Sequence, residues 1–412
     1  MFGGRRIAVT GLGAVCALGH SVAESWKALC EPRSGIAMRT LDPGPRGPAP
    51  QTLPLALVAP GYEVPVEAHL RRRVCSALDP FAALALSAAF EALSEAALLD
   101  SPALRSRGAV VLGHGFGGGD SLEKTYQRFY GERSARLHPT TVPRAMMSAA
   151  ASAVAMSFGV RGPVFATSSA CTSSAHAIAQ GAALIQMGLA DVAITGGSEA
   201  IATPACMRAW EAIHALAAET CRPFSAQRDG LVMGEGAGAL ILEELEHARR
   251  RGARVHGELV GVGLSSDAHH LTQPSFDGPV AALAQASDSA MLSDADGVLI
   301  SAHGTGTVLN DRNEAAAIHK VFGARAAAHP VIATKSAHGH LIGGSAALQA
   351  VIGLKALGER LAPPILNYLA PDPSCSLDLV LDRARPISST HLVVNAFAFG
   401  GLNACLAFAH GD

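Results

Sequence analysis

The sequence predicts an α/β protein whose central strands are covered by helices on both faces, and three observations carry that prediction. Short β-branched runs (RIAVTG, AVVLG, DVAITGG, GVLISAH, PVIATK, HLVVNAF) alternate with Ala/Leu-rich stretches such as PFAALALSAAFEALSEA, AHAIAQGAALIQMGL and SAALQAVIGLKALGE. A chain of 412 residues, 49% hydrophobic and 16% charged, is long and apolar enough to bury a large core, and at this length two halves can form one continuous body. There is also a faint internal echo. ATSSACTSSAHAIAQGAALIQMG in the first half resembles ATKSAHGHLIGGSAALQAVIGLKALG in the second. Each is a strand ending in Ala-Thr, a Ser/His-bearing turn and a small-residue helix, so two facing copies of one unit would bring the turns together.

From the N-terminus, MFGGRRIAVTG passes from arginines into a strand without the layout of a signal peptide, and no apolar run reaches the roughly 18 to 20 residues that span a bilayer. A cytoplasmic protein without membrane association is expected. The formal net charge of −2 indicates neither a nucleic-acid surface nor an acidic tail. Segment 38–66, rich in Pro and Gly, reads as a surface excursion, and residues 120–145, which hold most of the aromatic and basic character of their region, as an insertion. The eight cysteines (Cys16, Cys30, Cys75, Cys171, Cys206, Cys221, Cys375 and Cys405) form no C-x-x-C pair and no cysteine-histidine cluster at zinc spacing, so disulfides and structural zinc are not expected. Apart from Cys171 they read as small core residues.

The polar residues of interest all lie where an apolar strand gives way to a turn. Cys171 follows VFAT and precedes a helix, which places its sulfur near a helix N-terminus, where the macrodipole and free N–H groups favour thiolate over thiol. Standing alone, the stretch also reads as a buried cysteine packed against its helix. SAHGTGTVLNDRNE places His303 after a strand in a loop of Gly304, Thr305, Gly306 and Thr307, with Asp311 and Glu314 beyond. Such a loop lets a ligand approach closely, and its hydroxyls can hydrogen-bond an amide-bearing tether. TKSAHGHLIGG adds Lys335, His338 and His340 on the echoing turn, without the companion signature that a metal site requires. NAFAFGGLNA ends a strand in Phe397, Phe399 and two glycines, a candidate mobile flap.

Taken in order and at their separations, TSSACTSS, SAHGTGT, TKSAHGH and NAFAFGGLN resemble the signatures of the β-ketoacyl-acyl carrier protein synthases, the elongating condensing enzymes of the thiolase superfamily. The block from Arg222 to Ala253 and VTGLGAVCALG near the start, read as the family's first turn, extend the resemblance over nearly the whole chain. It implies a thiolase-like fold of two pseudo-repeated halves in a five-layered αβαβα core, divided here at 1–254 and 255–412. It also disposes of two decoys. GLGAVC imitates a dinucleotide-binding turn with Cys16 at the last glycine position, and GEGAG at 234–238 lacks the Lys-Ser/Thr of a phosphate loop.

The resemblance further implies a mechanism. Cys171 accepts an acyl group from acyl carrier protein, and the backbone N–H groups of Cys171 and Phe399 form an oxyanion hole. His303 and His340 stabilise the enolate formed when malonyl-carrier protein loses CO2. Lys335 and Glu314 form a supporting ion pair, Thr305 and Thr307 bind the phosphopantetheine arm, and Phe399, with Phe397, gates the acyl pocket. No metal or redox cofactor is needed, because 4'-phosphopantetheine arrives on the carrier protein.

Departures from the common pattern bear on substrate. His338 stands where relatives carry a small hydroxylated residue, leaving either an extra titratable group near the site or a solvent-facing histidine. Phe116 and Trp210 fall at positions of the acyl-pocket wall, and Thr140 and Thr141 where larger apolar residues reach across a dimer interface. A reshaped pocket for a short, unsaturated or aromatic chain is the expectation, in fatty acid or specialised polyene or polyketide synthesis. Arg71, Arg72, Arg73, Arg133 and Arg136 are candidates for docking the acidic carrier protein. The family resemblance implies a homodimer or a heterodimer with a chain-length-factor-like subunit. The alternative, that this chain is itself such a non-catalytic partner, is opposed by the presence of Cys171, and a condensing enzyme primed by acyl-coenzyme A by the two histidines.

Overall fold

The computed structural model describes residues 4–45, 47–59, 78–293 and 297–411. The first half runs β1 (Ile7–Cys16), α1 (Pro80–Glu95), β2 (Gly108–Gly113), α2 (Ala149–Phe158), β3 (Val164–Thr167), α3 (Ser173–Gln186), β4 (Val192–Glu199), α4 (Pro204–Ala212) and β5 (Gly236–Glu244). The second repeats the scheme with β6 (Gly257–Ser266), α5 (Asp277–Ser289), β7 (Val298–Ser301), α6 (Val308–Phe322), β8 (Pro330–Ile332), α7 (Ser345–Glu359), β9 (His391–Ala398) and β10 (Leu402–His410).

Strand order makes the duplication visible: β3-β2-β4-β5-β1 continues into β6-β10-β9-β7-β8, with the short strand Asp378–Leu379 beyond. The two halves meet where Ile7–Val9 pair antiparallel with Gly257–Leu259. In each half the two inner ladders are antiparallel and the two outer ones parallel. Helix α1 covers β1 and β5 from outside and α5 covers β6 and β10, while α3 and α7 lie against one another between the two halves of the sheet. Five layers result. The central helices are small-residue helices for this reason: a helix between the two halves of the sheet has no solvent face, and of α7 only Lys355, Gly358 and Glu359 escape burial.

Local signals agree with this plan. Asp79 caps α1 by accepting from the Phe81 N–H, with Pro80 in the first turn. GLGAVC is no turn, however, because Gly11 to Cys16 continue β1. A Cβ on Gly13 would lie 1.9 Å from the Ala88 carbonyl, so the glycine serves the close seating of α1 on the strand. Within the segment read as a surface excursion, Ala37–Leu41 and Gln51–Ala56 form a hairpin that joins Met233–Gly234 in a small sheet. The 120–145 insertion contains the helices Gly119–Tyr126 and Thr141–Ala145 and a π-helical turn, Gln127–Gly131, that leaves Phe129 and Tyr130 exposed. All described cysteines are free, and no helix among the described residues is long and apolar enough to cross a membrane.

Candidate active site

Cys171 lies in the one-turn helix Ala170–Thr172 that leads directly into α3. Its Sγ is 3.2 Å from His340 Nε2, and one side-chain donor atom each of Cys171, His303 and His340 fall within 4.8 Å of one another. Among the described residues these three are the group whose donors could converge on a metal ion. The two imidazoles meet edge to face with centroids 5.4 Å apart. The backbone N–H groups of Phe399 and of Cys171 itself are directed at the sulfur. This supplies the donor pair that an oxyanion requires.

The hydrogen bonds fix the imidazole tautomers. His340 Nδ1 accepts from the Ile342 N–H at 3.2 Å, with Ser345 Oγ 2.8 Å away. A backbone amide can only donate, so Nε2 carries the proton and points it at the cysteine side. Lys335 Nζ is 3.5 Å from His303 Nδ1 and imposes the same polarity there. Both rings are held well below the usual histidine pKa, first by burial and then by the Lys335 charge, so at neutral pH they are uncharged donors.

Two sequence expectations change. Burial pushes the Cys171 thiol up to about 12, against the lowering effect of Lys335 and the amides, so the resting group is a thiol rather than the thiolate expected from its helix position. Lys335 and Glu314 attract one another through space, but neither bonds the other directly. Lys335 Nζ donates to the His303 carbonyl at 2.6 Å and to Gln349 Oε1 at 2.7 Å. Glu314 instead accepts from the His303 and Gly304 N–H groups at 2.7 and 2.8 Å and from Asn395 Nδ2 at 3.0 Å. Desolvation lowers the lysine pKa and raises the glutamate's, and each holds the His303 loop from its own side.

A cavity of about 570 Å³ opens over these groups. Thr305 and Thr307 line it with their hydroxyls 2.9 Å apart, and Phe397, Phe399 and Trp210 line it as well. Phe397 packs edge to face on His303, while Trp210 stacks on Phe399 at 5.7 Å in the hairpin turn between β9 and β10. Phe116 belongs instead to a neighbouring apolar cavity of about 1100 Å³, and Thr140 and Thr141 line neither of the two. His338 is not solvent-facing, and it lies close enough to His340 to act on its charge. It is fully buried, bonded through Nδ1 to the Gly339 carbonyl and through Nε2 to Thr334 Oγ1, and burial drives its pKa to about 3. Arg133 and Arg136 are exposed on the insertion, and Arg71, Arg72 and Arg73 lie outside the described residues.

Sequence reading missed Gln349, Asn395, Ser345 and Glu199. Gln349 and Asn395 are lone polar residues inside apolar runs, SAALQAVIGL and HLVVNAF, and that isolation is the signal that could have found them.

A cysteine at a helix start, facing two neutral histidines where two like α/β halves meet, defines a condensing enzyme of the thiolase-like fold. The comparisons make this specific. Residues 4–248 match the model of the β-ketoacyl synthase N-terminal domain and residues 256–369 that of its C-terminal domain; the chain belongs to the β-ketoacyl synthase family. It is 41% identical to Nodulation protein E of Rhizobium meliloti (strain 1021), covering 98% of this chain and 99% of that one. It is 34% identical to 3-oxoacyl-[acyl-carrier-protein] synthase 2 of Staphylococcus aureus (strain COL), covering 98% of each. The solved ishigamide ketosynthase/chain length factor superposes with a TM-score of 0.91 at 30% identity, covering 99% of this chain and all of that one.

Proposed function

We propose that this chain is a 3-oxoacyl-[acyl-carrier-protein] synthase acting in the cytoplasm, and the observation that supports the reading most is the convergence of Cys171, His303 and His340 under the Phe399 amide. In the first half-reaction Cys171 Sγ attacks an acyl thioester on the carrier protein. The carbonyl oxygen is held by the Cys171 and Phe399 N–H groups, the acyl-sulfur bond passes to Cys171, and the thiol proton leaves with the carrier's phosphopantetheine. Because the thiol is protonated at rest, the Nε2–H of His340 stabilises the sulfur only as negative charge develops.

In the second half-reaction the carbonyl of malonyl-carrier protein accepts from the Nε2–H groups of His303 and His340. Two neutral donors lower the energy of the enolate as the carbon–carbon bond to CO2 breaks. The enolate carbon attacks the acyl-cysteine, Cys171 leaves as thiolate and takes up a proton, and the chain is two carbons longer. The chemistry is complete without a metal or redox cofactor. Thr305 and Thr307 hold the phosphopantetheine arm, and Arg133 and Arg136, with Arg71, Arg72 and Arg73, receive the acidic carrier protein. Trp210 and Phe116 select a short, unsaturated or aromatic chain of the kind used in specialised acyl synthesis.

A second subunit completes the assembly, either another copy or a chain-length-factor-like partner. Two features support this. Strand β3 is a sheet edge, and the adjoining insertion exposes Tyr126, Tyr130, Val142 and Met146. The test of the whole reading is intact mass after incubation with a panel of acyl-carrier proteins. Mass gain on wild type and none on Cys171→Ala is expected; no gain with any chain, with or without a partner subunit, overturns it.

A further inference from the structure

Glu199 ends β4 wholly buried beneath the active site, and the mechanism makes no use of it. Among the described residues it has no cationic partner. Its carboxylate instead gathers four backbone N–H groups from two separate loops. Oε2 accepts from Gly115 at 2.7 Å and from Gly343 at 3.2 Å, and Oε1 accepts from Phe116 and Gly117, both at 3.2 Å. Three successive amides turned toward one point form an anion-binding concavity, and here the chain supplies its own anion.

The two loops so joined carry different parts of the site. The first bears Phe116, whose side chain lines the cavity of about 1100 Å³. The second follows His340 and contains Ile342, whose N–H fixes the His340 tautomer. Ile342 is held there at a φ of 40°, in the left-handed region that a β-branched residue avoids, so its amide keeps that direction only while the loop is braced. The backbones touch directly, since a Cβ on Gly343 would lie 2.4 Å from the Gly115 nitrogen.

We infer that Glu199 is a positioning residue that ties the Phe116 loop to the His340 loop, so that what occupies the cavity beside Phe116 is felt at the condensing histidine. The inference rests on the condensing reading above for its consequence in turnover, though not for its geometry. Displacement of Phe116 by an acyl chain shifts the Phe116 amide, the shared carboxylate passes the shift to Gly343, and the Ile342 N–H that orients His340 is its neighbour in the chain. Glutamine is nearly isosteric but brings an NH2 group against amide donors, so Glu199→Gln breaks the bridge while preserving volume. Glu199→Asp keeps the charge and shortens the reach, and serves if the glutamine variant fails to fold.

The experiment is a double-mutant cycle of Glu199→Gln and Phe116→Ala with two readouts. One is the rate at which iodoacetamide alkylates Cys171, followed by intact mass, which reports the Cys171–His340 environment without turnover. The other is kcat and KM for malonyl-carrier protein. Glu199→Gln is expected to lower kcat about tenfold with KM within about twofold. Phe116→Ala should alter the alkylation rate in wild type and have no further effect in the Glu199→Gln background, a non-additivity that contact through a shared group produces. Additive effects on alkylation, or equal losses of alkylation, kcat and melting temperature in both single variants, overturn the inference. A protein that alkylates but never condenses overturns the functional reading, and the alkylation cycle still decides the role of Glu199.

Discussion

The two echoing turns share a topology and differ in what surrounds them. Residues 168–172, between β3 and α3, run from the surface inward: the strand before them is half-buried throughout and Ser168 is exposed, while Cys171 and Thr172 are buried. Residues 333–344, between β8 and α7, are buried without exception, as is the helix start that follows. The shorter turn delivers a single nucleophile to a helix start. The longer one folds Lys335, His338 and His340 into the core, where each polar group finds a partner. A nucleophile must meet a substrate and so sits at the end of an accessible turn. Groups that stabilise charge work best in a dry, fixed setting, where a hydrogen bond is strong and its loss is expensive.

The largest expected effect separates the turns outright. Cys171→Ala should abolish acyl loading and lower condensation by at least about 10³-fold, whereas His340→Ala should lower condensation about 10²- to 10³-fold while Cys171 still loads. Intact mass and CO2 release read the two steps apart. If His340→Ala abolished loading as well, the division of labour between the turns would fail.

Lys335→Met tests the buried turn by a different measure. It leaves the His303 carbonyl and Gln349 Oε1 without their shared donor, so unfolding should become easier by about 1–3 kcal/mol in a denaturant titration, and condensation should fall with it. An unchanged midpoint would mean that the lysine only tunes charge.

The state of Cys171 can be read from pH. With its pKa raised to about 12, the thiolate fraction at neutral pH is small and grows with alkalinity, so the iodoacetamide rate should climb about tenfold per pH unit between 7 and 9. A plateau from pH 7 upward would instead show the stable thiolate that helix position alone favours. The smallest effect falls on selectivity. Phe116→Ile should shift the preferred acyl length with a change of roughly tenfold or less in relative kcat/KM, and no change in a chain-length panel would remove Phe116 from the pocket.

Much of the site was legible because the chemistry is local. Cys171 before a small-residue helix, His303 in a Gly-Thr loop, and His340 on an echoing turn each declare themselves within a few residues. Glu199, Gln349 and Asn395 did not, since their partners lie far along the chain and a buried acceptor has no signature until the donors it serves are placed. His338 reads as titratable beside two functional histidines, and only burial and its bonds to Gly339 and Thr334 show it to be structural.

By itself the sequence determined the alternation of strands and helices, the duplication, and the residue types that meet at the centre, because hydrophobic period and turn chemistry are written in neighbouring residues. Only the tertiary structure decided protonation and tautomer: the cysteine as thiol, the histidines as neutral Nε2–H donors, and the lysine turned to a carbonyl and Gln349 rather than to Glu314. Those states depend on desolvation and on donors brought from distant segments, and neither exists until the two halves close on one another.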